Sequence, residues 1–307
     1  MAAGPTEVYP RQFAPDYSKN EVGWYLFPSD QKLREDYFDP EAMKHPAKFN
    51  LHMMTEIVKF VSEPGDTVMD VFGGTGSLML AAAMGRRVVL IDVEEKYCNL
   101  QRRSAEVMDM IEGGVFDKVT IIEGSNLKIL PLPCDHIITS PPYASIMRRK
   151  IGDKGFTEKD MAKDTKMWSA LGEHLLEYSQ SPDNIGNLNE FFYSHTMERV
   201  YKLCYDSLPP GGTMTVVIKD HIRNNKRVYF SDWVIRRCIN IGFEQYAWFK
   251  WKAPGSPFLQ IRRAKGFETV EDEDIVIVQK PILAPTWQPS EKAIEMLISG
   301  EPLLVTA

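Results

Sequence analysis

Cysteine and long apolar runs are both scarce in this chain of 307 residues. The four cysteines lie far apart and form no CxxC pair, so we expect reduced thiols rather than a disulfide framework or a structural zinc site. No apolar run reaches the roughly 18–20 residues that cross a bilayer, and the first 30 residues lack a signal-peptide pattern. These absences argue against a secreted, membrane-embedded or zinc-stabilised protein and favour a cytoplasmic one without a bound metal.

The remaining composition, with 44% hydrophobic and 25% charged residues, is typical of a folded domain. Strand-like apolar segments alternate with helix-like segments, which predicts an α/β fold with a mainly parallel sheet covered on both faces. We expect seven strands, at residues 67–71, 87–92, 119–123, 136–140, 213–218, 243–251 and 274–279. The main helices are expected at 46–61, 77–84, 94–110, 166–178, 188–208 and 231–240. A single domain at 39–280 would then lie between an N-terminal extension at 1–38 and a C-terminal tail at 281–307.

Positive charge is concentrated locally, although the formal net charge of the chain is -6. Segments 145–154 and 219–227 each carry four basic residues against one acid, and segment 247–266 carries five against none. Aromatic residues interleave the last segment, which suits a surface that holds phosphates and stacks bases. A solvated face explains any single segment equally well. The candidate contacts to nucleic acid are Arg148, Arg149, Lys150, Arg223, Lys226, Arg227, Arg262, Arg263 and Lys265.

A glycine-rich loop, DVFGGTGS at residues 70–77, lies between the first predicted strand and a helix. Glycine lets the backbone approach a ligand closely, and a helix N-terminus favours negative groups. The loop is neither a dehydrogenase GxGxxG, because Met79 replaces the third glycine, nor a P-loop, because no Lys-Ser/Thr pair follows. Asp92 ends the second strand, where an acid can accept hydrogen bonds from both ribose hydroxyls of an adenosine group. The alternative is a tight glycine turn beside a surface aspartate.

The fourth predicted strand runs directly into Ser140-Pro141-Pro142-Tyr143. Two prolines fix the backbone and remove two N–H donors, which leaves carbonyl groups available as acceptors. A serine hydroxyl beside them and an aromatic ring after them complete a pocket for a flat group that bears an exocyclic amine.

In this order, the motifs resemble those of the amino-group DNA methyltransferases, which use S-adenosylmethionine. The segment HPAKF at 45–49 is similar to the family's methionine-binding segment, the glycine loop to its cofactor loop, and SPPY to its catalytic motif. The resemblance covers roughly residues 38–280 and implies the class I methyltransferase fold, a Rossmann-like, doubly wound, mostly parallel seven-stranded sheet. It implies cofactor contacts from Lys48, Asp70, Phe72, Gly73, Gly74, Thr75, Gly76, Ser77, Asp92, Val93, Ser125 and Asn126. The implied catalytic residues are Ser140, Pro141, Pro142 and Tyr143.

The sequence departs from the family at two places. The family often has an acid near the end of the third strand to hold the adenine amino group, whereas here the sequence reads EGSN at 123–126. Either Glu123 turns inward, or Ser125 and Asn126 supply a polar contact. No large recognition domain follows the last strand, so the polar segment 145–188 and the basic loops are the candidates for reading DNA.

The resemblance implies methylation of a base that is flipped out of DNA. Serine at the head of SPPY is the form similar to cytosine-N4 enzymes, and adenine-N6 methylation is the alternative. Methylation of RNA or of a protein amide, and a non-catalytic DNA-binding module, are further alternatives. A cytosine-C5 mechanism would need a cysteine nucleophile, but Cys134 precedes the fourth strand and should lie at the opposite edge of the sheet from the glycine loop. The oligomeric state is left open.

Overall fold

A computed structural model describes residues 11–44, 49–142, 181, 183–253 and 257–282. Its strands are β1 (Thr67–Asp70), β2 (Arg87–Asp92), β3 (Val119–Glu123), β4 (His136–Thr139), β5 (Thr213–Ile218), β6 (His221–Arg223), β7 (Lys226–Val228), β8 (Glu244–Lys252) and β9 (Asp272–Gln279). Seven of them form one sheet in the order β3-β2-β1-β4-β5-β9-β8, and a two-stranded hairpin, β6-β7, lies apart. Strand β9 is antiparallel to both of its neighbours, whereas β1 to β5 pair in parallel. The predicted doubly wound, mostly parallel seven-stranded sheet is therefore confirmed.

Helices cover both faces of the sheet. They are α1 (Gln31–Tyr37), α2 (Leu51–Val61), α3 (Leu80–Ala83), α4 (Glu95–Glu112), α5 (Asn126–Ile129), α6 (Glu190–Ser207), α7 (Phe230–Ile241) and α8 (Pro257–Ala264). Neighbouring residues of a strand point to opposite faces, so Val68 belongs to one apolar cluster with α2, α3 and α4, and Met69 to another with α6 and α7. Within the described ranges, no helix is long and apolar enough to cross a membrane.

Most predicted elements are found within a few residues of their expected bounds. The helix expected from residue 46 starts at Leu51, because the side chain of Asn50 caps it by accepting a hydrogen bond from the amide of Met53. The helix expected at 77–84 is split into a 3₁₀ turn, Ser77–Met79, and α3. The helix expected at 166–178 lies outside the described residues.

The N-terminal extension contacts the edge of the sheet through Tyr25. Phe13 and Tyr25 are buried in the core. The amide of Tyr25 donates to the carbonyl of Lys250, and the amide of Lys252 donates to the carbonyl of Tyr25, both at 2.9 Å. The extension therefore forms one bridge to the edge strand β8 at Tyr25 and covers that point of the edge.

The β6-β7 hairpin was not expected from the sequence. Its turn is Asn224-Asn225, and both residues have positive φ, 51° and 56°. Asparagine tolerates this left-handed conformation better than most residues, and two-residue hairpin turns favour it. The hairpin follows β5 directly and places part of the basic segment 219–227 beyond the carboxyl end of that strand.

Candidate functional site

A cavity of about 330 Å³ opens at the carboxyl edge of the parallel strands. Open α/β sheets bind ligands at this edge, where the strand order reverses, and here β1 and β4 flank the reversal. The sequence-predicted residues that line the cavity are Asp70, Phe72, Gly73, Gly74, Thr75, Ser77, Asp92, Val93, Ser125, Asn126, Ser140, Pro141 and Pro142. The fold therefore gathers residues from four strand ends around one space.

The glycine loop lies tightly against β2 and α4. A Cβ atom on Gly73 would come within 2.8 Å of Gln101 Nε2, and one on Gly76 within 2.6 Å of Met79 Cε. Gly76 also has a φ of 79°, in the left-handed region. The backbone conformation therefore favours glycine at Gly76, whereas a side chain at Gly73 would have to displace Gln101. Gly76 is not among the residues that line the cavity.

Asp92 ends β2 and holds the loop in place. Its Oδ2 accepts a hydrogen bond from the amide of Gly74 at 2.7 Å, and its Oδ1 accepts one from the amide of Glu94 at 2.9 Å. Burial raises the pKa of Asp92 to about 6, although these two hydrogen bonds oppose the shift. Each carboxylate oxygen has a second lone pair with which it can accept a hydrogen bond from a ligand.

Asp70 connects the glycine loop with the SPP segment. Its Oδ1 accepts hydrogen bonds from the amide of Phe72 at 2.9 Å and from Thr139 Oγ1 at 2.5 Å. Burial raises the pKa of Asp70 to about 7. Because Thr139 directly precedes Ser140, this carboxyl group couples the two halves of the cavity.

At the end of the third strand, Ser125 and Asn126 line the cavity, whereas Glu123 does not. Asn126 Nδ2 donates to the carbonyl of Val71 at 3.0 Å. The buried Ser125 Oγ has no hydrogen-bond partner among the described residues. A buried hydroxyl without a partner is costly, so this atom is suited to a polar group of a ligand.

Several lining residues were not singled out from the sequence. Asp183, Asn184 and Ile185 form one wall, which is fixed because Asn184 Nδ2 donates to Glu94 Oε1 at 2.9 Å. Lys219 and Glu273 lie at the carboxyl end of β5 and the start of β9. The strands predicted from the sequence already place both residues at this edge of the sheet.

Five predicted site residues lie outside the described residues: Lys48, Tyr143, Arg148, Arg149 and Lys150. Their roles stay predictions.

The basic candidates differ in how far the fold engages them. Arg227 donates to Asp220 at 2.7 Å and to both carboxylate oxygens of Asp272 at 2.9 and 2.6 Å. Both acids are completely buried, and their hydrogen bonds raise the pKa of Arg227 although burial opposes this. The guanidinium group of Arg227 thus neutralises buried acids within the fold, and its contact to DNA stays a prediction.

The other described basic candidates lie nearer to solvent. Arg223 pairs with Glu190 at 3.1 Å and Arg263 pairs with Glu271. Arg262 lies over the ring of Phe267, and Lys226 and Lys265 are exposed. The amide of Glu268 donates to Asn225 Oδ1 at 2.8 Å, so the hairpin and the loop after α8 form one continuous surface. We refer to Lys226, Arg262 and Lys265 as the basic surface.

Cys134 lies at the opposite edge of the sheet, as predicted. It precedes β4 and lines a different cavity, together with Thr67 and Pro209. The side chain is buried, and burial raises the pKa of its thiol well above the usual value. The thiolate that a cytosine-C5 mechanism requires is therefore disfavoured at this position.

Comparisons with known proteins match part of this chain. Residues 9–103 match a family model described as DNA methylase, for N6 and N4 methyltransferases, and this match contains the glycine loop and Asp92 but ends before Ser140. The type II methyltransferase M.BglI of Bacillus subtilis is 36% identical over 63 residues, which are 20% of this chain and 18% of that protein. The chain thus matches about a fifth of this relative's length. The predicted resemblance to the amino-group DNA methyltransferases is confirmed over the matched residues.

Solved structures with a similar fold include TrmN of Thermus thermophilus and a methyltransferase of Pyrococcus furiosus. TrmN is 15% identical, with a TM-score of 0.46 over 84% of this chain and 55% of that chain. The Pyrococcus protein is 14% identical, with a TM-score of 0.41 over 78% of this chain and 87% of that chain. The strand order itself, with β9 inserted antiparallel between β5 and β8, confirms the class I methyltransferase fold.

The described side chains fit S-adenosylmethionine, the cofactor of this family. Asp92 offers acceptors that suit ribose hydroxyls, and the unpartnered Ser125 Oγ is available to a polar group of a ligand. Phe72 and Val93 add apolar surface to the same cavity. The predicted cofactor is confirmed by the family match, whereas the individual contacts stay predictions.

Proposed function

We propose that this chain transfers the methyl group of S-adenosylmethionine to an exocyclic amino group of a base in DNA, with N4 of cytosine as the target. The observation that carries the proposal is the meeting of two motifs at one cavity. Ser140, Pro141 and Pro142 line the same space as the glycine loop and Asp92. A site that brings acceptors for an amine to an adenosine-binding loop is suited to methylation of that amine.

Different residues of the cavity would contact different parts of the cofactor. Asp92 would accept hydrogen bonds from the ribose hydroxyls, Ser125 or Asn126 would contact the adenine amino group, and Lys48 would hold the methionine portion. When bound, S-adenosylmethionine supplies an electrophilic methyl group on a positively charged sulfur.

The SPP segment would activate the amine. The lone pair of an aromatic amine is delocalised into its ring, which makes the nitrogen a poor nucleophile. The Ser140 hydroxyl and the Pro141 carbonyl would accept the two amino hydrogens and favour tetrahedral geometry, which frees the lone pair. The amine would gain the methyl group as the methyl carbon–sulfur bond breaks, with S-adenosylhomocysteine as the leaving group, and it would release one proton to solvent. Positioning and fixed dipoles supply most of the rate enhancement.

The target base must leave the duplex to reach this cavity, because its amino group is otherwise paired inside the helix. Tyr143 would stack on the flipped base. Serine at the head of SPPY favours cytosine, as the family resemblance implies, and adenine N6 is the second candidate. The basic surface would hold the phosphates.

Mass analysis of nucleosides tests the proposal. DNA is incubated with the protein and deuterium-labelled cofactor, digested and analysed, and RNA and protein substrates are treated in parallel. We expect labelled N4-methylcytosine. Labelled N6-methyladenine would overturn the choice of base but not the chemistry, and 5-methylcytosine would overturn both. Label in RNA or protein but not in DNA would overturn the proposed substrate class.

A further inference from the structure

The wall of the cavity contains a charged pair, Lys219 and Glu273, that the proposed chemistry does not yet use. Lys219 directly follows β5 and Glu273 is the second residue of β9. Ile218 pairs with Asp274 in the antiparallel ladder, so Lys219 and Glu273 occupy the next opposed positions. Lys219 Nζ lies 3.8 Å from Glu273 Oε1.

A third strand fixes the Glu273 carboxylate. Trp251 of β8 pairs with Glu273, and its indole Nε1 donates to Glu273 Oε2 at 3.3 Å. Trp251 is buried in the core. The carboxylate, on β9, is thus held between an indole on β8 and an ammonium group just after β5.

Packing alone does not explain this pair. The next residues on the same face, Val217 and Ile275, are apolar and buried. Burial raises the pKa of Glu273 although Lys219 and Trp251 oppose the shift, so an ionised carboxylate here is costly. Perturbed ionisable groups in a cavity are candidates for function.

Lys219 is close to the SPP segment in the sheet. Thr139 of β4 pairs with Val216 of β5 in parallel, so Ser140 and Lys219 both lie just beyond the paired ends of adjacent strands. In cytosine, the ring atom beside the amino group is N3, and in adenine it is N1. Both are hydrogen-bond acceptors, and an ammonium group is purely a donor.

We propose that Lys219 donates a hydrogen bond to the ring nitrogen beside the target amino group, and that Glu273 positions the Lys219 ammonium group. The inference rests on the proposed function and extends it from the amine to the edge of the base. Lys219 is then a base-reading residue that contacts the substrate, whereas Glu273 acts through it.

A base analogue tests this contact. After the methylated site has been located by sequencing, an oligonucleotide duplex is made with 3-deazacytosine, which carries CH in place of N3, at the target position. For an adenine target, 1-deazaadenine is used. Turnover of the wild-type protein should fall about tenfold or more, the usual cost of losing a hydrogen bond to a charged group.

Variants at Lys219 and Glu273 test which side chain donates the hydrogen bond to the ring nitrogen. Lys219→Met should lose a similar factor on the natural base and show little further loss on the analogue, because contacting groups are not additive. The analogue penalty is the factor by which turnover falls when the deaza base replaces the natural base. Glu273→Gln should reduce this penalty partly, and Lys219→Arg should retain it. The control is Lys118→Met, which removes a lysine at the opposite edge of the sheet and should keep the full penalty.

Two results overturn the inference while the proposed function stands: a wild-type protein that methylates the analogue as fast as the natural base, or an equal analogue penalty in Lys219→Met. The first requires no variant, so a failure of Lys219→Met to fold does not affect it. A wild-type protein that methylates no DNA would instead remove the proposed function, and this inference with it.

Discussion

At the scale of single residues, two carboxyl groups organise the cavity. Asp92 accepts hydrogen bonds from the amides of Gly74 and Glu94, and Asp70 accepts them from Phe72 and Thr139. Each therefore shapes the loop and also presents acceptor oxygens. A ligand that binds there gains from groups whose orientation is already fixed.

Replacing Asp92 with Ala should weaken cofactor binding by about 1–3 kcal/mol, because buried ribose hydroxyls would lose their acceptors. Isothermal titration with S-adenosylhomocysteine measures this change. The matched control is Glu106→Ala, which removes an exposed acid on α4 and should bind normally. Equal affinities of the two variants would contradict the ribose contact.

Replacing Ser140 with Ala should retain cofactor binding but reduce kcat about tenfold or more, because one acceptor of the amino hydrogens is lost. Cys134→Ala should keep kcat within a few-fold, since the thiol lies at the other edge of the sheet. Single-turnover methylation and the titration above separate the two effects. A severe loss in Cys134→Ala with normal folding would instead support a thiol mechanism.

Cofactor affinity should depend on pH. Burial raises the pKa of Asp92 to about 6 and that of Asp70 to about 7, and a carboxylate accepts from both ribose hydroxyls only when it is ionised. Affinity should therefore be full above pH 7 and fall as the pH falls through 6. Titrations between pH 5.5 and 8 should show this slope, and Asp92→Asn should flatten it. A flat wild-type profile would mean that the carboxylates do not bind the ligand in their ionised form.

At the scale of secondary-structure elements, buried charges tie the hairpin to the sheet edge. Arg227 and Lys250 surround Asp272, and Lys250 also contacts Asp274 at 2.6 Å. Although burial opposes ionisation, hydrogen bonds from Arg227 and Lys250 lower the pKa of Asp272. These contacts fix β7 and β8 against β9, which carries Glu273 into the cavity wall.

Arg227→Ala should therefore destabilise the fold by about 3–5 kcal/mol, because it leaves the buried Asp220 without its cation and Asp272 with Lys250 alone. Arg223→Ala, on the opposite strand of the same hairpin, should cost about 0–1 kcal/mol, since its pair with Glu190 is exposed. Denaturant unfolding compares them. Equal stability of the two variants would refute the structural role given to Arg227.

The elements were largely predictable because strand and helix periodicities are local. Buried runs such as RVVLID at 87–92 required no tertiary information. Contacts between residues distant in sequence were not predictable in the same way. In the sequence Arg227 resembles an exposed basic residue, whereas in the fold β9 brings Asp272 beside it. Lys219 and Glu273 likewise lie 54 positions apart in sequence, and pairing of β5 with β9 brings them together. The Asn224-Asn225 turn was the local signal that could have revealed the hairpin.

At the scale of the whole molecule, charge is divided between surfaces. The chain is acidic overall, at -6, whereas the basic surface of Lys226, Arg262 and Lys265 adjoins the edge that carries the cavity. An acidic protein can bind DNA through such a surface if the opposing charge lies elsewhere.

Replacing Lys226 and Lys265 with Ala should weaken DNA binding and reduce the slope of log K against log salt by about 0.9 for each lost phosphate contact. Fluorescence anisotropy with a labelled duplex at several salt concentrations gives this slope. Lys118→Ala changes charge at the opposite edge and should leave the slope unaltered. An unchanged slope in the double variant would show that these lysines only face solvent.

The central claim is that one cavity holds the cofactor against the SPP segment. A crystal structure with S-adenosylhomocysteine tests it most directly. The account predicts ribose hydroxyls about 2.7–3.0 Å from the Asp92 carboxylate and the sulfur atom on the side of the cavity formed by Ser140 and Pro141. A ligand bound elsewhere, or one whose sulfur faces away from Ser140, would contradict the account.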